Sequence, residues 1–73
     1  MAKIEQIDRA AFEFVLFLQD EPDKYWFLDK LRQTPKWRKN WVFNRAREVL
    51  EMDKRVTTFQ EYRHVRFDRI RNL

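Results

Sequence analysis

Few side chains in this sequence can carry covalent chemistry. It contains no cysteine, no glycine and no serine, and its one histidine is His64. Without cysteine there is neither a disulfide nor a thiolate to hold zinc. One histidine among scattered carboxylates is too sparse for a metal cluster or a catalytic constellation. No glycine-rich loop is present to cradle a nucleotide phosphate. The residues therefore predict no enzyme, no metal and no cofactor.

Recognition is the chemistry that remains. The stretch PKWRKNWVFNRAR, from Pro35 to Arg47, carries five basic residues, two tryptophans, two asparagines and no acid. Asparagine can pair bidentately with adenine in a major groove, and arginine with guanine. Asn40, Asn44 and Arg47 recur at i, i+4 and i+7, so one helix face would present all three. Lys36, Arg38, Lys39 and Arg45 surround them and could neutralise phosphates, the main source of affinity for nucleic acid. Trp37 and Trp41 could stack on unpaired bases, wedge into a groove, or pack as ordinary core. Tryptophan and arginine are also the side chains enriched at the centres of protein–protein interfaces. A second basic patch is expected at Arg63, Arg66 and Arg69, with Arg71 beyond it.

These residues need helices to position them. The absence of glycine disfavours tight hairpins and predicts an all-α fold: a compact bundle of about four short helices, with a helix-turn-helix-like second and third helix. The first helix is expected from about Lys3 to Gln19, its stripe formed by Ile4, Ile7, Ala11, Phe14, Val15 and Leu18. Phe12 and Leu16 lie off that stripe and are expected to offer a homodimer contact. A second helix follows Pro22, which suits a first helical turn, and uses Phe27, Leu28 and Leu31 for its core, leaving Tyr25 and Trp26 outside. "QTPK" ends it, because the residue before a proline is biased away from helix; Thr34 is the expected cap of the next segment.

The third helix is expected to run unbroken from about Pro35 to Met52. Val42, Phe43, Ala46, Val49 and Leu50 form its core side, and Trp37, Asn40, Trp41, Asn44 and Glu48 face the other way, with Arg47 at the edge. The last segment is read as a helix in which Thr58 and Glu61 form a capping box. Phe59, Tyr62, Phe67, Ile70 and Leu73 share its apolar face, although Arg63 and Arg66 intrude on it. The alternative is a winged helix, with a C-terminal β-hairpin over about 55–70 favoured by the β-rich Val56, Thr57 and Thr58.

Length and charge set the outer bounds. A chain of 73 residues is read as a single small domain with a marginal core. Residues 1–34 hold five bases against seven acids, and residues 35–73 hold eleven bases against five acids, so a polyanion-facing side is expected in the second half. No apolar run approaches the roughly 18 residues of a membrane span, and a soluble, cytoplasmic protein is expected. The leading expectation is a small DNA-binding regulatory protein that reads double-stranded DNA with the outward face of the third helix. The alternative is a small protein-binding module or inhibitor that docks an aromatic-basic face on an acidic partner.

Overall fold

The computed structural model describes residues 3–71, with side chains through residue 68. Among them five helices follow one another: α1 (Lys3–Leu18), α2 (Lys24–Gln33), α3 (Pro35–Arg38), α4 (Trp41–Glu51) and α5 (Phe59–Arg71). The all-α expectation holds, and the alternative C-terminal hairpin does not. The radius of gyration is 11.7 Å, close to the roughly 11 Å that a compact chain of this length requires. No helix among the described residues is long and apolar enough to cross a membrane.

α4 is the central helix. It makes the most extensive contact with α1 and also touches α5 and α3. On α1 the buried positions are Asp8, Ala11, Val15 and Leu18, spaced by three and four as a helix stripe must be. Phe43, Ala46, Val49 and Leu50 answer from α4, and Leu28, Val56, Tyr62 and Val65 complete the core. Ala11 and Ala46 are both fully buried, and such small side chains permit the close approach of α1 and α4. Ile4, expected in the α1 stripe, is exposed.

Helix ends follow local chemistry without any glycine. Thr34 is extended, as the residue before Pro35 should be. It stands at the N-cap position of α3, its carbonyl accepting from the Arg38 N–H at 2.9 Å, but its hydroxyl makes no capping bond there and donates back to the Lys30 carbonyl of α2 at 3.1 Å. Pro22 lies in the turn before α2, whose first helical residue is Lys24. α4 ends at Glu51 with Met52 as its cap, and in the turn beyond, Asp53 takes a left-handed φ of 57°, a conformation that aspartate tolerates better than most residues other than glycine.

Val56 lies outside any helix, in the segment between α4 and α5, and has no strand to pair with. The Gln19 amide supplies the missing partner: its Nε2 donates to the Val56 carbonyl at 2.7 Å, and its Oε1 accepts from the Val56 N–H at 3.0 Å. That pair of bonds satisfies the backbone as a neighbouring strand would, which explains why β-favouring residues here form no hairpin. Thr58 then caps α5, accepting from the Glu61 N–H at 3.1 Å. The Glu61 carboxylate accepts from the Thr57 hydroxyl at 2.7 Å.

Candidate nucleic-acid interface

The helix expected over Pro35–Met52 is two helices, and the break decides what each polar side chain can do. Asparagine competes with its own backbone inside a helix and is favoured at the cap. Asn40 accordingly leaves helical geometry, and its Oδ1 accepts from the Phe43 N–H at 3.0 Å. Asn44 Nδ2 donates to the Arg38 carbonyl at 3.1 Å. Both asparagines expected to read bases instead brace the α3–α4 corner.

The corner also turns Trp37 inward. Its ring meets Phe43 edge-on at 6.3 Å, which is the packing role weighed for one of the two tryptophans. The Arg47 guanidinium lies over the other side of that cluster, 6.0 Å from the Phe43 ring. Its Nε is buried without a hydrogen-bond partner. Arg45 is withdrawn as well: its Nη1 bonds Asp8 at 3.0 Å, with both side chains largely buried.

Asp8 was not singled out by sequence, yet it organises three helices. It accepts from Arg45 on α4 and from the hydroxyl of fully buried Tyr62 on α5, the latter at 3.4 Å. Arg66 Nε stands 3.9 Å from both Asp8 and Glu48. Burial, and then the charge of Asp8, push the Tyr62 hydroxyl well above its usual pKa. Arg66 is therefore held inward, not offered as part of an outer basic patch. Arg63 is exposed but lies against the Phe59 and Phe67 rings at 5.9 and 5.7 Å. The side chains of Arg69, Ile70 and Arg71 lie outside the described residues, as does Leu73.

The expected dimer pair is divided too. Phe12 packs within the chain, 5.7 Å from Phe59 and 6.0 Å from Tyr62, because α5 folds across that side of α1. Leu16 remains 40% exposed.

What stays at the surface is a smaller set than the sequence suggested. Lys36, Arg38 and Lys39 are exposed and have no ion-pair partner among the described residues. Several other bases among the described residues do have one: Arg9 with Glu5, Lys24 with Asp53, Arg32 with Glu51, Arg55 with Asp20. Beside them the Trp41 ring is 67% exposed, with the Arg45 guanidinium 5.8 Å from its centre. Trp41, Lys39 and Asn44 border an open groove of about 490 Å³ that runs to Glu48 and Arg66.

α4 itself offers little free surface. Trp41 is its one exposed residue, and the others are buried or half-buried under α1, α3 and α5. A recognition helix must offer a continuous free face to the bases. Compared with protein-family models, curated proteins and solved structures, the chain matches none.

Proposed function

We propose that this protein binds nucleic acid at the α3–α4 corner, holding phosphates with Lys36, Arg38 and Lys39 and stacking Trp41 on an unpaired base. The observation that carries this reading is the corner itself: three adjacent, unpaired cations beside one exposed indole. Phosphate contacts supply affinity without sequence information, and a π-face accepts any base. With Asn40 Oδ1 and Asn44 Nδ2 committed to the backbone, neither amide has both of its polar atoms free for a bidentate pair with a base. The favoured target is therefore a single strand or a loop, bound with little sequence preference, in place of the sequence-specific duplex that the residue spacing alone suggested.

Fluorescence anisotropy of a labelled oligothymidine of about 15 nucleotides, a length within reach of small single-strand binders, tests the reading. Wild-type protein should bind it, and an unrelated mixed-sequence strand of equal length should compete equally. Lys36→Ala, Arg38→Ala and Lys39→Ala should each weaken both strands alike. Failure of the wild type to bind, or binding untouched by the triple substitution, would remove the nucleic acid from this corner.

A further inference from the structure

Two places on the surface keep three charges of one sign without an ion-pair partner among the described residues. Lys36, Arg38 and Lys39 stand at the α3–α4 corner, while Lys3, Lys30, Lys54 and Arg63 are exposed and unpaired singly elsewhere. Glu13, Glu21 and Asp23, all exposed and without an ion-pair partner among the described residues, stand about the α1–α2 corner; Asp29 and Glu61, also without an ion pair, accept hydrogen bonds from Gln33 and Thr57 elsewhere. α2 separates the two corners by its own length, about 15 Å for ten residues.

The acidic corner is also apolar. Phe17 is 75% exposed and Trp26 63% exposed, and both border one shallow groove of about 280 Å³. Phe27, packed 6.2 Å from Phe14, lines the same groove. Glu13 precedes Phe17 by four residues on α1, and Asp23 precedes Trp26 by three, so each acid neighbours a ring. Glu21 sits in the turn between the helices. The cations nearby are occupied: Lys24 Nζ bonds the Gln19 carbonyl and Asp53 at 3.2 and 3.3 Å, and Lys30 Nζ rests 5.6 Å from the Trp26 ring centre.

Two large exposed rings bordering one groove on a protein this small mark an interaction surface. Their acidic rim restricts what can cover them. A symmetric dimer through this corner would set like charges against one another. Nucleic acid and anionic membrane surfaces are repelled for the same reason. We propose that the α1–α2 corner docks a basic amphipathic helix of a partner protein. Its apolar anchors fill the groove between Phe17 and Trp26, and its lysines and arginines face Glu13, Glu21 and Asp23. Helix-in-groove recognition of this kind needs only a few anchors and a charged margin. The surface is separate from the nucleic-acid corner and does not depend on that reading.

The test uses a synthetic helical peptide of leucine and lysine as the probe and a leucine–glutamate peptide of the same pattern as control. The tryptophan indole N–H signals of the whole protein are followed by NMR. The leucine–lysine peptide should shift the Trp26 indole saturably and leave Trp41 in place; the control should do neither. Phe17→Ala, and separately Glu21→Lys with Asp23→Lys, should each weaken binding by about tenfold or more. These side chains are exposed, so the helical circular dichroism should be unchanged. Absent or unsaturable binding would overturn the proposal, as would equal binding by the variants. Sedimentation that revealed self-association of the protein alone, lost in Phe17→Ala, would also overturn it by assigning the corner to a second copy.

Discussion

Trp41 and Asp8 show how differently a single side chain can matter in this molecule. Trp41 is exposed, so Trp41→Ala should leave the unfolding midpoint nearly unchanged. It should cost about 1–3 kcal/mol in oligothymidine affinity, the usual value of one stacked base, as read by anisotropy. Asp8 is the reverse case. Asp8→Ala strands the largely buried Arg45 guanidinium without its carboxylate and should lower stability by about 3 kcal/mol in urea unfolding. Glu5→Ala, which removes an exposed surface pair with Arg9, should leave the unfolding curve where it was. Tyr62 adds a pH dependence at the alkaline end. Its folded pKa is raised, while in the unfolded chain it ionises near its ordinary value of about 10. Above that pH the unfolded state holds fewer protons than the folded one. Stability is thus fully present below about pH 10 and falls as pH rises beyond it; Tyr62→Phe should flatten that limb of the curve in a chemical-denaturation series.

The helices set which of these roles a residue can take, and α4 is where that choice is made. Asn40→Ala removes the bond to Phe43 N–H and should cost about 1 kcal/mol, or roughly 4–8 °C in midpoint for a domain this size. If the corner also aims Trp41, the same substitution should weaken oligonucleotide binding beyond what the stability loss explains. The sequence showed the apolar stripes of α1 and α4, the stop at Pro35 and the Thr58 cap of α5, because each is written in local spacing and side-chain type. The break at Asn40 was legible only in part: asparagine prefers a cap, but Trp37, Asn40, Trp41, Asn44 and Glu48 recur at helical spacing straight across it, as if the helix were unbroken. Asp8 left a fainter trace. An acid sits inside the α1 stripe, and Arg66 intrudes on the α5 face. Two opposite charges, each within an apolar face of a different helix, are the mark of a partly buried ion pair. The Gln19 clamp on Val56 joins residues 37 apart and leaves no local signal.

At the scale of the whole molecule, ion pairing tells more than net charge. The formal charge of +4 describes a mildly basic protein, but three bases without an ion pair stand together at the α3–α4 corner and three such acids about the α1–α2 corner, toward opposite ends of α2. That sorting also suits the α2 dipole, with Asp23 at its N-terminus and basic residues at and beyond its C-terminus. The dipole accounts for some of the charges but not for the exposed Trp41 beside the bases, nor for Phe17 and Trp26 beside the acids. One end is suited to a phosphate backbone and the other to a basic helix, so the protein would join a nucleic acid to a protein partner while keeping the two apart.

The most direct measurement is the intrinsic tryptophan fluorescence of the protein titrated with oligothymidine, and in parallel with a blunt duplex, across a salt series. Three phosphate contacts on a single strand predict a log–log slope of affinity against salt near −2. The account further predicts quenching that disappears in Trp41→Phe and weaker binding to the duplex. No salt-sensitive binding, a preference for the duplex, or quenching that survives Trp41→Phe would contradict the assignment of the α3–α4 corner to unpaired nucleic acid.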